Sequence, residues 1–477
     1  MAGLIILGIL LIFVAVIAIR TLRFTPKPQP KLSDEEVTFD KEASVSALQQ
    51  LVRCRTVSYN DHSLEDAAEF RKLIDLLPSL YPNVFRVCQF RELPDWGLLF
   101  KWSGKRSDEA AVMMAHFDVV PVNEENWEKP PFEGILEDGV LWGRGTLDTK
   151  VTMNGVLSAA DHLISKGFQP EQDIYFAFSG GEEVNGKGAP NIVDYFEENG
   201  IKLSMVVDEG GAVVENVFPG VKVPCGLIGI AEKGMMNVQY RTKSAGGHAS
   251  APKPHTPVGV LAAACKKVED HPFKAHIEGP AALMFDTLGR YSTALYRVIF
   301  ANLWCFGWIL DLLGKTSGGE MNALMRTTVA FTQMEGSSAR NVIPPEAKMV
   351  ANMRLNPADS VESALAYLRR TVNDDSVEIT ALESFEPSPI SETECPAWDK
   401  VASAVAETWR GCIVSPYLMV QCSDSRHYGR ISNHVYRFSA MDLTSEERAT
   451  IHGNNERIRL ETAERAVEFY IRLMGKC

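Results

Sequence analysis

The sequence predicts an α/β protein with a largely parallel sheet flanked by helices, an inserted α+β domain and an N-terminal membrane helix. Three observations predict it. Short apolar runs alternate with amphipathic segments from residue 41 to about residue 231, the order of strand–helix–strand units. The texture then changes until about residue 384, after which the first pattern returns. Residues 2–19 carry no charge. Over 477 residues, 48 Lys and Arg face 61 Asp and Glu, a formal charge of −13. With 45% hydrophobic and 23% charged residues, disorder, collagen-like structure and a multi-span membrane protein are excluded. The acidic balance argues against nucleic acid as a partner, because phosphate binding needs a concentrated basic surface. Nine dispersed cysteines without a CxxC read as free thiols rather than a disulfide scaffold.

The elements follow in chain order. Residues 1–22 hold an uncharged run of about 18 residues, about 27 Å of helix and just enough for a hydrocarbon core of about 30 Å. No basic residue precedes the run, so a retained single-span anchor is favoured over a cleaved signal peptide. Arg20, Arg23, Lys27 and Lys31 follow it, which by the positive-inside rule leaves the body cytoplasmic, although one short span does not fix the side. Residues 23–40, with three prolines at alternate positions, form an extended linker. Residues 41–231 are the first part of a catalytic domain. SVSALQQLVRC and AAEFRKLIDLLPSL read as helices, AAVMMAHF as a strand buried on both faces, and NGVLSAADHLISKG as a helix. DIYFAFSGG and SMVVDEGG are the next strands. Residues 232–384 form the separate α+β unit: GMMNVQYRT, the helix PVGVLAAACKKVED, the strands TTVAFTQMEG and AKMVANMRLN, and the helix VESALAYLRRTV. Residues 385–477 return to the first domain, with AWDKVASAVAETW as a helix.

Chemistry concentrates in five segments. His116-Phe117-Asp118 ends a buried strand, where residues two apart share a face, so Asp118 can fix the tautomer of His116. Asp148 in GRGTLDTK precedes a helix start, where an isolated Asp would serve as a cap. Glu182 and Glu183 follow a strand and a Gly-Gly turn. Asp208 ends SMVVDEGG, and His452 lies in IHGNNERI. Each alone has a bland reading as a cap, a solvated loop or a surface turn. Together they follow strands of one parallel sheet, where ligands gather at the carboxyl edge. Two unit charges about 4 Å apart repel by roughly 4 kcal/mol at an effective dielectric near 20. Four or five carboxylates therefore share a cleft only if cations neutralise them. Two divalent metals with His116 and His452 as imidazole ligands would do so, and ligation by His and carboxylate without cysteine suits catalytic zinc, with cobalt or manganese as alternatives. A water on such a pair has a pKa near about 7 and is a nucleophile at neutral pH. Of two adjacent glutamates, one can then bind metal while the other stays free as the acid/base group.

The ordered set HFDVVPV, WGRGTLDTK, SGGEEVNGKGA, DEGG, GGHASAP, NVIPP and HGNNERI resembles the co-catalytic zinc peptidases that include glutamate carboxypeptidase, aminoacylase and carboxypeptidase S. The resemblance runs from about residue 41 to 475. It implies a zinc-binding α/β domain interrupted by a lid or dimerisation domain. It also implies that His116, Asp148 and Asp208 hold one zinc and that Asp148, Glu183 and His452 hold the other, with Asp148 bridging. Glu182 would be the general base, Asp118 would orient His116, and His248 on the lid would polarise the scissile carbonyl. In dimeric members that histidine comes from the partner subunit, which leaves a homodimer through the lid open. Asn341 and Arg354 match positions that contact the substrate's carbonyl and carboxylate, a surface salt bridge being the bland alternative for Arg354. The implied reaction is hydrolysis of an amide next to a free carboxylate.

The stretch RVIFANLWCFGWILDLLG, residues 297–314, departs from the family pattern. It reads as a buried lid helix, a wall for a long acyl chain, or a surface that dips into the bilayer. Together with the anchor it favours the carboxypeptidase S branch, with Gly-X carboxypeptidases and hydrolases of N-fatty-acyl amino acids, over an aminoacylase or dipeptidase acting on small substrates. A non-catalytic binding protein on the same fold would be expected to have lost a ligand. A nucleophilic hydrolase would need a GxSxG elbow, which the chain lacks.

Overall fold

A computed structural model describes residues 1–477. An eight-stranded sheet forms the centre, its strands in the order Gln89–Leu93, Gly97–Trp102, Gln172–Ser179, Arg106–His116, Leu203–Val214, Val435–Leu443, Cys225–Glu232 and Ile413–Met419. The four strands from Gln172–Ser179 to Val435–Leu443 run parallel. Every residue of Gln172–Ser179 is buried, as the unbroken apolar run predicts for a strand covered on both faces. The helices Lys41–Val52, Lys150–Ser165 and Leu460–Met474 pack together on this sheet and share its largest core.

A second, four-stranded antiparallel sheet is built from Thr328–Glu335, Glu346–Leu355, Gly234–Lys243 and Val377–Phe385. It alternates buried and half-buried residues along Glu346–Leu355 because only one face is covered, by the helices Pro257–Asp270 and Val361–Val372. This sheet has its own core of 17 residues.

Two segments sit differently from the sequence expectation. The helices between Gly279 and Met325 fall within residues 232–384, yet Met284, Phe285, Leu288, Phe300, Leu310, Leu324 and Met325 join the core of the large sheet. The first of them, Gly279–Gly289, packs on the strand Ile413–Met419 at that sheet's edge. The linker 23–40 is extended, as its prolines require, but it is docked. Lys27 pairs with Asp286 at 2.7 Å, Arg290 Nη1 donates to Thr25 O, and Val414 N donates to Gln29 Oε1 at 2.9 Å. All nine cysteines are free thiols.

Candidate metal centre

The carboxyl edge of the parallel strands supplies the site. His116 is the last residue of Arg106–His116, and its Nδ1 lies 3.0 Å from the backbone oxygen of Asp118, which directs Nε2 outward. Nε2 then lies 3.0 Å from Asp148 Oδ1 and 3.2 Å from Glu209 Oε1. On the other side of Asp148, Oδ2 lies 2.9 Å from His452 Nε2, which is itself 3.0 Å from Glu183 Oε2. Asp148 therefore touches both imidazoles, one with each oxygen. His452 adopts a positive φ of 58°, the left-handed conformation of a tight turn, which His tolerates better than most residues with a side chain.

The donor set fits divalent cations. In a tetrahedral site with ligand distances near 2.1 Å, ligand atoms stand roughly 3.4 Å apart, close to the separations seen here. Ligand atoms of His116, Asp148 and Glu183, and likewise of His116, Glu182 and Glu209, lie within 4.8 Å of one another. Glu183 Oε1 is buried without any partner, as an oxygen aimed at an ion would be. In the metal-free chain the crowding shows in the proton affinities. Burial, with the nearby charges of Asp148 and Asp208, pushes the Glu209 carboxyl up to about 8. Burial, with Asp424, Glu209 and Glu183, holds the Glu182 carboxyl well above the usual carboxylate range. Hydrogen bonds to Asp148 and Glu183 raise the His452 imidazole to about 10.

Asp208 is not in this cluster, a correction to the sequence expectation. Its Oδ2 accepts from Ser425 N at 2.9 Å, on the opposite side of the strand from Glu209. The cause is local. Asp208 pairs with Arg437, but the next pair is Gly211 with Phe438, so Glu209 and Gly210 form a bulge that re-aims Glu209 into the cleft. Gly210 has φ 141°, and a Cβ there would meet Met419 Sδ at 2.6 Å and Arg437 Cβ at 2.7 Å. The DEGG motif contained the signal: successive strand residues face opposite sides, so either acid was eligible.

Asp118 lies beneath the cluster, fully buried. Its carboxylate accepts from Ser58 Oγ at 2.6 Å and from the backbone N–H groups of Glu182 and Glu183 at 3.1 and 3.3 Å, with Oδ1 3.4 Å from His116 Nδ1. Burial alone would raise its pKa, but these bonds, led by that of His116, hold it below the usual value. Asp118 thus ties the imidazole to the Glu182-Glu183 turn. Glu183 is committed to His452, whereas Glu182 has no hydrogen bond from its side chain among those formed.

Two supporting acids were not singled out in the sequence. Glu456 closes the HGNNE motif. Its Oε1 accepts from Gly145 N and Leu147 N at 3.0 and 2.7 Å, and its Oε2 from Arg144 Nη1 at 2.5 Å, which fastens the loop carrying Asp148 to the loop carrying His452. Asp424 is buried behind Glu182, with Oδ2 accepting from Ser179 Oγ and Oδ1 unpartnered. Nothing local in the sequence marks it, since it arrives from a distant turn of 3₁₀ helix, Asp424–Arg430.

The lid residues lie apart. His248 is exposed on the ribbon Gly247–His248, paired with Val342–Ile343, and its Nδ1 lies 2.7 Å from Ser250 Oγ. Asn341 is exposed on the same ribbon, where its backbone oxygen accepts from Ala249 N. Neither lines the cavity over the cluster. Arg354 Nη1 lies 2.9 Å from Cys422 Sγ, and Cys422 does line it. That cavity measures about 610 Å³ and has two characters. Asp148, Glu182, Glu183, Glu209 and His452 line it together with apolar side chains that include Met284, Met321, Leu324, Met419 and Met441.

Comparison with known proteins places the chain in a family. The family model described as peptidase family M20/M25/M40 matches residues 112–476. The chain is 34% identical to "N-fatty-acyl-amino acid synthase/hydrolase PM20D1" of Xenopus tropicalis, covering 98% of this chain and 93% of that one. It is 33% identical to "Probable carboxypeptidase S-like 2" of Dictyostelium discoideum, covering 98% and 92%. Among solved structures it is similar to the M20 family metallo-carboxypeptidase Sso-CP2 from Sulfolobus solfataricus, with a TM-score of 0.67 at 16% identity over 90% of this chain and 98% of that one. A dinuclear metal-binding peptidase of Bacillus subtilis, YXEP, matches with a TM-score of 0.55 at 13% identity over 91% and 98%. With a family match across most of its length and a ligand set to go with it, the chain belongs to the peptidase family M20/M25/M40.

Proposed function

We propose that the chain hydrolyses an amide bond next to a free carboxylate, with N-long-chain-acyl amino acids as its substrate class, as a membrane-anchored enzyme with two zinc ions. One observation carries this reading: a single cavity of about 610 Å³ is lined both by the candidate cation ligands and by methionine and leucine side chains. Methionine adapts its shape to an irregular apolar guest, and an acyl chain is such a guest. Two relatives support the reading, the N-fatty-acyl-amino acid synthase/hydrolase for the acyl chain and the carboxypeptidase S-like protein for the free carboxylate.

In this reading His116, Asp148 and Glu209 hold one cation and Asp148, Glu183 and His452 the other, with cobalt or manganese as alternatives to zinc. Two such cations supply Lewis-acid polarisation and a nucleophilic water at neutral pH. The protein's own contribution is positional. Glu182, free of other bonds, takes a proton at its carboxylate and delivers it to the leaving amine, a role that its raised proton affinity suits. Asp118 keeps His116 and the Glu182-Glu183 turn in register. Arg354 would hold the substrate carboxylate through two oxygens. His248 and Asn341 would reach the scissile carbonyl from a lid formed by residues 232–384, within one chain or from a second copy. The apolar run Ala2–Arg23, a helix without a buried residue, would be the retained anchor.

The test is a substrate panel at fixed zinc, comparing long-chain N-acyl amino acids with N-acetyl amino acids and dipeptides. Long-chain preference that vanishes with chelator and returns with zinc is expected. Preference for dipeptides would demote the apolar lining to packing.

A further inference from the structure

We infer that the helices Ala294–Ala301 and Leu303–Ser317 form an apolar elbow embedded in the same bilayer leaflet as the end of the N-terminal helix, a surface that loads the cavity from the membrane. The two helices are bent by 112° at Asn302 and together carry enough apolar length to enter a bilayer. Their outer faces are open: Trp304 and Trp308 are 57% and 65% exposed, beside exposed Leu295, Leu312 and Leu313. A soluble domain seldom leaves so large an apolar patch uncovered.

The occupant is fixed by what the elbow touches. Asn302 is buried at the bend, and its Nδ2 donates to Thr21 Oγ1 at 3.1 Å and to Ile17 O at 3.4 Å. Arg20 Nε donates to Ala301 O at 3.1 Å, and the rings of Phe13 and Trp304 meet edge to face with centroids 5.7 Å apart. The elbow is therefore continuous with a helix that exposes apolar side chains all round. Arg20 marks where that helix reaches the polar interface. Phe13 lies two turns earlier, about 10 Å along the axis at roughly 1.5 Å per residue, which sets Trp304 at the depth of an interfacial helix, about 5–10 Å. The arrangement does not hinge freely, because Lys27 and Gln29 dock the linker on the body.

The elbow also reaches the cavity. Phe300 packs at a tilt against Phe218 and Phe285, with ring centroids 4.7 and 5.7 Å away, and the residues that precede these two in the chain, Val217 and Met284, line the cavity. Met321 and Leu324, on the helix that follows the elbow, line it too. The elbow and the cavity thus share one continuous apolar core, and a chain leaving the leaflet at the elbow would find the cavity on the far side of it. This loading role rests on the proposed acyl-amino-acid activity, whereas the membrane contact does not.

The experiment uses the full chain in phosphatidylcholine vesicles brominated in the upper third of the acyl chain, compared with unbrominated vesicles. Bromine quenches tryptophan only at short range. Wild-type fluorescence should be quenched, and most of that quenching should be lost in the Trp304→Phe/Trp308→Phe variant, with folding checked by circular dichroism. Equal quenching in both proteins, or none in the wild type, overturns the inference. In a second arm, Trp308→Glu/Leu312→Glu should raise KM several-fold for an N-oleoyl amino acid carried in vesicles and leave kcat/KM for the soluble N-acetyl analogue unchanged. An unchanged KM overturns the loading role. If the wild type hydrolyses neither substrate, the proposed activity fails while the quenching still decides the membrane contact.

Discussion

Glu182 and Glu183 are neighbours in sequence with opposite commitments, and the roles proposed for them rest on that difference. Glu183 faces His452 at 3.0 Å, while Glu182 is left unbonded among acids. Glu182→Gln is expected to lower kcat by about 10²–10⁴-fold with metal content unchanged, measured by turnover and elemental analysis on one sample. The same logic separates Asp208 from Glu209. Glu209→Ala should reduce the bound metal per chain and Asp208→Asn should not; the reverse result would restore the reading drawn from the motif. At pH 7 the metal-free protein carries protons on Glu209, with its carboxyl near 8, and on His452, near 10. Ligation needs both groups without them, so cation uptake at pH 7 should release protons and tighten as pH rises. Calorimetry in buffers of differing ionisation enthalpy reads that release, and uptake without it would contradict the assignment. At this scale the sequence was informative wherever a motif ended a strand. It failed at DEGG because a bulge, set by how two distant strands pair, decides which acid turns inward.

The elements that hold the site are loops fastened to one another. Glu456 accepts three backbone N–H groups of the Asp148 loop, that of Asp148 included, and pairs with Arg144, both side chains being buried. Removing one partner of a buried pair leaves the other charge uncompensated, at a cost of about 3–5 kcal/mol. Glu456→Ala should therefore lower the unfolding free energy by about that amount and loosen the hold on metal; a variant with wild-type stability would show that the loop is held some other way. The sequence displayed Glu456 within HGNNERI, but the residue carries no ligand geometry, and its role appears only when the two loops meet. Asp424 was less visible still, since no strand or motif announces it. The strands themselves were legible, because burial on both faces leaves an unbroken apolar run.

Across the whole molecule, the strands of the small sheet lie between residues 232 and 385, after the change in texture, whereas residues 279–325 of that span join the core of the large sheet. Amphipathicity records that a helix has an apolar face and not which core receives it. Lys233 sits where the chain passes from the large sheet to the small one, its Nζ donating to the carbonyls of Ala323 and Arg326 at 3.0 and 2.8 Å. Burial, together with the charge of Arg354, lowers its pKa from 10.5 to about 7. The folded state then binds fewer protons than the unfolded state between those values, so stability contributed by this group rises with pH across that window. Denaturation of metal-loaded protein at pH 7 and pH 9 should show the rise, and Lys233→Met should flatten it. The central claim is that the cluster around Asp148 exists to hold a pair of cations. Anomalous X-ray scattering at the zinc edge, from crystals of the zinc-loaded full chain, tests it most directly. Two peaks about 3.5–4 Å apart are expected on either side of Asp148, one against His116 and Glu209 and the other against Glu183 and His452; a cluster without peaks, or peaks seated elsewhere, would contradict it.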